Sequence, residues 1–404
     1  MAHQTAKTVC FFTDQKSQKF RPLTLTRPMD DLRLGIFTIR EKWMRTLQVN
    51  RYSRLLPDHL DGVFDIGTSA SDEACLWVNS RFLPSQQLQG AILKLKEGEK
   101  LTFNNETIAA LADKKTSAIM HKKKSFNDSY FTPIKLKEAI HLEHLWDLLP
   151  LNAYETEKDL ALTQLQPLSE TNISLPDVIT SHPENIYIDE DADIEPGCVL
   201  IAKDGPIIIQ KKATLEAGCI VRGPAVIGTG ATVKMKARIY DGTTIGPVCK
   251  VGGEVANCIF HSYSNKGHDG FTGNSIFGQW VNIGADTNTS NLKNNYSPVR
   301  MADWASKEEI ETEAQFLGTV MGDHSKTAIN TMLNTGTICG VSSNIFMANF
   351  PPKYIPSFSW VGETDYSVYK FDKALEAMRA MMKRRDKEVT DAYAAMMEYL
   401  FKNR

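Results

Sequence analysis

The 404 residues are too many for one ordinary hydrophobic core, so the length predicts two or three domains. Hydrophobic residues make up 42% of the chain and charged residues 23%, which is the balance of a soluble globular protein. The formal net charge of −2 gives no electrostatic argument for a nucleic-acid partner or a membrane surface.

The sequence shows neither a targeting signal nor a metal-binding cysteine pattern. The N-terminal segment lacks the apolar stretch of a signal peptide, and no run of eighteen apolar residues occurs. The seven cysteines form no CxxC pair and have no metal-ligand spacing, so we expect small core residues in a reducing compartment. These features predict a cytoplasmic protein without a structural metal.

Residues 1–150 alternate short apolar strands with amphipathic helical stretches, which predicts a mixed α/β domain. Strands are expected at residues 8–12 and 74–78, and a hairpin at residues 100–111 around Asn104 and Asn105. Helical spacing occurs at residues 35–48 and 85–95. Residues 151–179, rich in Thr, Glu and Asn, are predicted to be a linker.

Aliphatic residues recur at every sixth position through much of the second half, a period that fits neither a helix nor a half-buried strand. This period predicts a hexapeptide β-helix, in which six residues form one side of a triangular coil and the aliphatic residue points inward. The alternative is chance spacing in a β-rich sandwich. After three hexads the phase slips by three positions, and the full series is Ile188, Ile194, Leu200, Ile209, Leu215, Val221, Ile227, Val233, Ile239, Ile245 and Val251.

The β-helix is predicted over residues 180–362, with a polar interruption at 288–298 and a charged one at 307–314. Residues 363–404 are predicted to form one or two terminal helices. Their apolar face is expected to cover the open end of the coil stack, and it contains Leu375, Met378, Met381 and Met382.

Residues 263–295 break the hexad rhythm and are rich in polar groups. Their pattern runs His268-x-x-Phe271-x-Gly-Asn-Ser, then Val281-Asn-Ile-Gly-Ala285, then Asn291. It resembles the acetyltransferase half of the bifunctional N-acetylglucosamine-1-phosphate uridylyltransferase/glucosamine-1-phosphate N-acetyltransferases. The chain as a whole resembles a diverged branch of that family. The resemblance implies an α/β, nucleotidyltransferase-like (Rossmann-like) N-terminal domain, followed by a left-handed parallel β-helix with terminal helices.

The resemblance places the family's general base at His268, whose neutral imidazole suits proton removal from the amine of an amino sugar. It implies that Phe271, which stands where the family has a Tyr, and Asn282 contact the sugar. The alternative for Asn282 is an asparagine ladder inside the β-helix. The positions implied to bind acetyl-CoA, the expected cofactor, are Ala285, Asn291 and Leu292.

The basic residues that bind the sugar phosphate in the family do not align cleanly here, and either Ala256 or a gap stands at one of their positions. Lys293, Lys266 and Arg300 are the candidates for this role. Glu254 is a candidate for orienting the substrate amine, or else a carboxylate at a coil corner.

In the N-terminal half, the segment from Arg21 to Arg27 resembles the one after the Gly-rich nucleotide loop of sugar nucleotidyltransferases. The Gly-rich loop itself is absent, Met29 stands where the family has a Lys, and Asn79 stands where a metal-binding Asp is expected. The candidates for binding the nucleotide, UTP or dTTP with Mg²⁺, are Arg27 and Lys42.

Three functions stay open on the sequence. The first is acetyl transfer from acetyl-CoA to an amino-sugar 1-phosphate by a homotrimer. The second is sugar-1-phosphate nucleotidyl transfer from UTP or dTTP by the N-terminal domain, with the β-helix serving only for assembly. The third is a non-catalytic trimer that binds a sugar nucleotide or an acyl-CoA.

Overall fold

The computed structural model describes residues 8–67, 73–363 and 366–404, and these form two compact units. The first unit runs to Phe20 and includes Arg27–Leu32 and Phe37–Leu145. The second unit comprises Arg21–Thr26, Arg33–Ile36 and Trp146–Arg404. The signal-peptide prediction concerns in part residues 1–7, which lie outside the described residues.

The N-terminal half contains eight strands and four helices among its described residues. The strands are β1 (Thr8–Phe12), β2 (Arg33–Leu34), β3 (Phe37–Thr38), β4 (Arg51–Arg54), β5 (Cys75–Asn79), β6 (Glu99–Phe103), β7 (Glu106–Ala112) and β8 (Thr132–Lys135). The helices are α1 (Ile39–Leu47), α2 (Gln86–Ile92), α3 (Lys114–Lys122) and α4 (Leu148–Leu160).

A six-stranded sheet with the order β4-β1-β5-β7-β6-β8 forms the centre of the first unit. Strand β1 is parallel to both β4 and β5, whereas β6 and β7 form the predicted antiparallel hairpin. The hairpin turns at Asn104 and Asn105, which both have positive φ, as a tight two-residue turn requires. The α/β prediction for this half is confirmed.

Helix α1 begins later than its hydrophobic spacing suggests because Thr38 caps it. The Thr38 hydroxyl accepts the backbone N–H of Glu41, and the Glu41 carboxylate accepts the N–H of Thr38. Ile39 and Trp43 are buried, which fixes the face that the helix presents to its unit.

Helix α4 lies in the segment predicted as a linker. The Asn152 amide donates to the carbonyl of Gly242 at 2.8 Å and to the Thr244 hydroxyl at 3.1 Å, and its oxygen accepts the N–H of Gly35 at 2.7 Å. This helix is therefore an integral part of the second unit rather than a free connector.

The second unit is a parallel β-helix, which confirms the fold predicted from the hexads. Its strands are β9 (Ile179–Ser181), β10 (Ile186–Ile188), β11 (Asp193–Ile194), β12 (Val199–Ile201), β13 (Ile207–Ile209), β14 (Thr214–Leu215), β15 (Ile220–Arg222), β16 (Ala225–Ile227), β17 (Thr232–Val233), β18 (Arg238–Ile239), β19 (Thr243–Ile245), β20 (Lys250–Val251), β21 (Glu254–Ala256), β22 (Ile259–Ser262), β23 (Asn265–Lys266), β24 (Phe271–Gly273), β25 (Ile276–Gln279), β26 (Asn288–Thr289), β27 (Arg300–Ala302), β28 (Glu309–Glu311), β29 (Thr319–Met321), β30 (Lys326–Thr327), β31 (Met332–Leu333), β32 (Thr337–Cys339), β33 (Asn344–Phe346), β34 (Tyr354–Ile355), β35 (Ser359–Gly362) and β36 (Tyr366–Val368).

The strands stack into three walls. The first wall is the nine-stranded sheet β10-β13-β16-β19-β22-β25-β29-β32-β34. The second wall is β11-β14-β17-β20-β23, continued by backbone bridges from Asn265 to Asn282 and from Asn282 to Lys326 into β30-β33-β35. The third wall is β9-β12-β15-β18-β21-β24.

The predicted aliphatic residues lie in register in the inward columns of these walls. In the second wall, for example, Leu215 pairs with Val233 and Val233 with Val251, and all three are fully buried. The three-residue slip in the hexad phase after Leu200 corresponds to a longer connection, between the end of β12 at Ile201 and the start of β13 at Ile207. The pairing register therefore stacks inward residues of successive coils on one another and builds a continuous core.

Glycines at the corners serve two different purposes. Gly242 has a φ of +69°, a left-handed conformation that favours glycine. Gly246 has no positive φ, but a Cβ there would lie 2.0 Å from the carbonyl oxygen of His261 on the next coil. The first position needs the flexibility of glycine, and the second needs its lack of a side chain.

The interruption after Asn288 contains the antiparallel hairpin of β27 and β28, outside the coil register. The chain then ends in helices α5 (Phe371–Lys383) and α6 (Asp391–Lys402). Arg385, just after α5, donates to Asn265, and Tyr393 on α6 hydrogen-bonds His324 at 2.7 Å. The helices thus lie along the side of several coils, whereas the sequence suggested a cover over the open end. No helix in the described parts of the chain combines the length and apolar character needed to cross a membrane.

Candidate functional site

His268 lies at a corner of the β-helix, in the connection between β23 on the second wall and β24 on the third. The side chain is exposed, and no described protein group hydrogen-bonds its imidazole. The ring nitrogens therefore face solvent on a rigid scaffold, where one of them can accept a proton from a bound molecule.

The corner is held from inside the coil by Lys266. Its register partner is Val251, so Lys266 occupies an inward position that neighbouring coils fill with aliphatic residues. The side chain is buried, and its ammonium donates to the carbonyls of His268 at 2.9 Å, Gly252 at 3.2 Å and Asp269 at 3.4 Å. Burial lowers the pKa of Lys266 to about 8. Lys266 therefore tethers the corner and is not available to a sugar phosphate, for which the sequence made it a candidate.

A cleft of about 830 Å³ opens beside this corner, between the second wall and helix α5. It brings together His268, Asn282 and Ala285, three of the residues predicted from the sequence. The other lining residues are Lys234, Lys250, Tyr263, Asn265, Gly267, Trp280, Ile283, Gly284, Lys326, Ile329, Ala377, Ala380, Met381, Arg384 and Arg385.

Five cationic side chains line this cleft: Lys234, Lys250, Lys326, Arg384 and Arg385. Burial lowers the pKa of Lys250, and repulsion by Arg385 and Lys234 lowers it further. Burial lowers the pKa of Lys326 to about 8. Lys250, Lys234 and Arg385 lie close enough to repel one another, so the cleft favours an anionic ligand.

The cationic lining was missed in the sequence because all five residues lie outside the segment 263–295 that carries the motif. One sequence signal was present, because Lys250 directly precedes the inward hexad residue Val251 and so has an outward position. In the structure Lys250 pairs with Asn265 in register, and Asn282 pairs with both Asn265 and Lys326. These four residues form one outward column on the second wall. Asn282 therefore neighbours Asn265 as an asparagine ladder would, but both residues line the cleft rather than the interior.

Aromatic rings form another part of the lining. Tyr263 stacks on Trp280 with their ring centroids 4.4 Å apart, and Trp280 in turn lies 6.1 Å from the His324 ring. Trp280 is nearly fully buried between these two rings, so the stack stiffens this side of the cleft.

Phe271, Glu254 and Asn291 lie around the corner, on the third wall. Glu254 pairs with Phe271 in register and accepts a hydrogen bond from Arg238 at 3.1 Å. A Cβ added to Gly273 would lie 2.5 Å from the Asn291 amide nitrogen and 2.6 Å from the Phe271 ring. The absence of a side chain at Gly273 thus leaves room for both side chains. The predicted residues form two groups, one in the cleft and one on the third wall, on either side of His268.

The remaining candidates in the β-helix make local contacts. Leu292 bridges to Phe316, and the Lys293 ammonium donates to the carbonyl of Pro298 at 2.7 Å and to Ser297 at 3.3 Å. Arg300 donates to the carbonyl of Glu309 within its own hairpin at 3.1 Å. Lys293 and Arg300 therefore stabilise the interruption rather than line the cleft.

In the first unit, the two residues predicted to bind a nucleotide are in the interior. Arg27 is 1% exposed and lies 3.6 Å from Asp31, and Lys42 is fully buried. Met29 is buried as well. Asn79 ends strand β5, and its amide donates to Asp14 at 2.8 Å and to the carbonyl of Thr107 at 3.1 Å. Burial of Arg27 and Lys42 removes the exposed cations that the nucleotide prediction needed.

Comparison with known proteins finds a family likeness in the N-terminal part of the chain. Residues 9–166 match the model of the sugar nucleotidyl transferase family. The bifunctional protein GlmU of Bartonella bacilliformis is 29% identical over 145 residues, which cover 35% of this chain and 32% of that protein. GlmU of Wigglesworthia glossinidia brevipalpis is 24% identical over 234 residues, which cover 53% of this chain and 46% of that protein.

Among solved structures, a UDP-N-acetylglucosamine acyltransferase from Campylobacter jejuni is matched at 13% identity with a TM-score of 0.24, over 56% of this chain and 94% of that one. The chain spans between a third and a half of the length of the two curated relatives. A nucleotidyltransferase-like α/β domain joined to a hexapeptide β-helix defines the class of protein. Within that class the chain is similar to a diverged, GlmU-like branch, which confirms the resemblance.

The tether made by Lys266 gives a first prediction. Replacing Lys266 with Met keeps an apolar chain in the inward column but leaves three carbonyls without their donor. We expect amide hydrogen exchange at Glu254 and Asp286, whose N–H groups donate to the corner carbonyls of Gly270 and Asp269, to accelerate about tenfold, the equivalent of about 1.4 kcal/mol of local opening free energy. Lys250→Met, an outward change on the neighbouring coil, is the matched control and should leave this exchange unchanged. Equal exchange in the two variants would show that Lys266 does not hold the corner.

Proposed function

We propose that the β-helix transfers an acetyl group from acetyl-CoA to the amine of an amino-sugar phosphate. The observation that carries this proposal is the single cleft in which exposed His268 meets Asn282, Ala285 and five cationic side chains. The similarity to GlmU proteins supports transferase chemistry of this kind, either sugar nucleotidyl or acetyl transfer.

His268 is the general base in this proposal. The neutral imidazole removes a proton from the sugar amine as the nitrogen attacks the thioester carbonyl carbon. The tetrahedral intermediate then collapses, the carbon–sulfur bond breaks, and the imidazolium returns its proton to the departing CoA thiolate.

The cations of the cleft are assigned to phosphate groups. Acetyl-CoA carries several phosphates and the sugar carries one, so a lining with Lys250, Lys326 and Arg384 complements both molecules. Asn282 would hydrogen-bond the sugar, and the backbone at Ala285 would contact the pantetheine arm. Phe271 and Asn291 would complete the site from the third wall, with Phe271 stacking where a tyrosine would also donate a hydrogen bond.

We propose a homotrimer as the assembled form. On the outward side of the third wall, Ile179 pairs with Val199 and Val199 with Ile220. Ile179 is 65% exposed and Ile220 is 39% exposed, so this row forms an apolar patch that a neighbouring subunit can cover.

A second candidate function is favoured by the family match over residues 9–166. It is sugar-1-phosphate nucleotidyl transfer from UTP or dTTP in the N-terminal domain, with the β-helix serving assembly. Pyrophosphate release from UTP or dTTP in the presence of a sugar 1-phosphate and Mg²⁺ separates this activity from acetyl transfer.

The role of His268 gives the second prediction. We expect His268→Ala to lower kcat for CoA release from acetyl-CoA, measured with a panel of amino-sugar phosphates, by about a hundredfold or more, because the base is lost. His182→Ala, which changes another exposed histidine of the same unit, is the control and should retain full activity. An unchanged rate in His268→Ala would remove this residue from the mechanism. Saturable acetyl-CoA binding without turnover of any acceptor would favour a non-catalytic binding protein instead.

The cationic lining gives the third prediction. Lys250→Ala and Arg384→Ala should each raise KM for a phosphate-bearing substrate about tenfold and leave kcat nearly unchanged, because the phosphates are bound equally in ground and transition states. Added salt should raise the wild-type KM in the same direction by screening these charges. Lys203→Ala, an exposed cation outside the cleft lining, should change neither constant. If the two cleft variants matched this control, the cations would have no part in substrate binding.

The assembly gives the fourth prediction. Light scattering should give a mass near three times 45.2 kDa for the full chain. Ile179→Asp, which places a charge in the apolar row, should shift the mass toward that of a monomer, whereas Lys203→Ala should not. A monomeric wild-type chain that still releases CoA would contradict the trimer and leave the acetyl-transfer proposal standing.

A further inference from the structure

The first unit has a cleft of its own, of about 600 Å³, at the carboxyl ends of β1 and β5. This edge of a parallel sheet is where α/β proteins bind ligands, and in a sugar nucleotidyltransferase a divalent cation would be expected there. The cleft is lined by Phe12, Thr13, Asp14, Gln15, Leu55, Leu56, Pro57, Asn79, Asn105, Glu106, Thr107, Lys124, Ser125, Phe126 and Asp128.

Two of the three carboxylates that line this cleft, Asp14 and Glu106, point at Arg81, and the third, Asp128, pairs with Lys100 at 2.8 Å. The Arg81 side chain is fully buried, and Nε donates to both oxygens of Asp14 at 2.9 and 3.0 Å. Nη2 donates to Asp14 at 2.8 Å and also to Glu106. Nη1 donates to the carbonyl of Leu142 at 2.8 Å and to Glu143 at 3.4 Å. Every N–H of the guanidinium has an acceptor, and two of the carboxylates are shared with the cleft lining.

Two lysines complete the neutralisation. Lys16 donates to Glu106 and, at 3.1 Å, to Glu143, while Lys19 donates to Glu143 at 2.9 Å. Three carboxylates thus face three cations. Burial alone would raise the pKa of Glu143, but Lys19 and Lys16 hold it down at about 2. In the same way, hydrogen bonds from Arg81 and Asn79 outweigh the burial of Asp14 and keep its pKa below the usual range.

A divalent cation does not fit this arrangement. Mg²⁺ needs oxygen ligands at about 2.0–2.1 Å in near-octahedral geometry, and the carboxylate oxygens of Asp14 and Glu106 are already directed at the guanidinium. The Asn79 amide, which replaces the expected Asp, adds no charge, and its oxygen accepts the backbone N–H of Arg81 at 3.1 Å. Within the described residues, no group of three or more His, Cys, Asp or Glu side chains is arranged to hold a metal ion.

We propose that the Arg81 guanidinium permanently occupies the cation position of this cleft, and that the N-terminal domain binds its ligand without a divalent metal. The positive charge that a metal would bring is already present, but it is covered by carboxylates and cannot bridge the phosphates of a nucleotide. Lys124, the cation on the described lining, is itself paired with Asp58 at 3.0 Å and Asp61 at 2.6 Å. Metal-assisted nucleotidyl transfer, the second candidate function, therefore has no site here.

Manganese binding tests this proposal without reference to activity. The full chain is titrated with Mn²⁺, and free ion is followed by electron paramagnetic resonance. We expect Asp14→Asn to leave the wild-type binding curve unchanged, because Asp14 is committed to Arg81. Arg81→Gln releases Asp14, Glu106 and Glu143 from the guanidinium, so it should bind Mn²⁺ at least about tenfold more tightly than wild type. Adding Asp14→Asn to Arg81→Gln should remove the gain.

The wild-type measurement decides the question even if Arg81→Gln does not fold. Mn²⁺ binding by the wild-type chain that is weakened by Asp14→Asn would overturn the proposal, because the carboxylate would then be a metal ligand. A folded Arg81→Gln variant, checked by near-ultraviolet circular dichroism, that gains no Mn²⁺ affinity would also overturn it. CoA release by the β-helix is a separate measurement, so a negative outcome of the Mn²⁺ experiment leaves the acetyl-transfer proposal standing.

Discussion

Register between successive coils is the constraint on which the second unit depends. Each strand pairs in parallel with the same position one coil away, so a residue that points inward on one coil requires an inward neighbour on the next. The outward positions inherit the same order. Lys250, Asn265, Asn282 and Lys326 form one row for the same reason that Leu215, Val233 and Val251 form another. The order of the outward residues that line the cleft therefore follows from the stacking of the core.

Lys266 shows how a site is built by breaking that order once. An ammonium in an aliphatic column costs desolvation free energy, and it is tolerated because backbone carbonyls at the corner accept its hydrogen bonds. The interaction links the interior of the coil directly to the loop that carries His268. A regular wall would offer a flat surface, whereas the lysine at this inward position holds an irregular corner in place.

The sequence predicted what repeats and missed what converges from distant positions. One hexad residue per side was enough to place Ile209 or Val233 in an inward column, because the period itself encodes the geometry. Arg384 and Arg385 could not be assigned to the cleft, since they follow a helix whose spacing indicates only an apolar face. The role of Arg81 was equally hidden, because its partners Asp14, Glu106 and Glu143 are scattered through the first unit.

Composition also misled where packing decides. Residues 151–179 looked like a connector because they are polar, yet α4 uses the polarity of Asn152 to satisfy backbone groups at Gly35 and Gly242. Motif resemblance, by contrast, singled out His268, which lies at an exposed corner, although it could not reveal that Phe271 and Asn282 stand on different walls.

The backbones of the outward row on the second wall are separated by a fixed distance from one coil to the next. Lys250 and Lys326 stand three coils apart, and each coil adds about 4.8 Å, so their backbones are separated by about 14 Å. Distances between side chains in this row are therefore multiples of the spacing between coils. Inserting a whole coil between these lysines would lengthen the span that one molecule must bridge to reach both, by about 4.8 Å for each added coil.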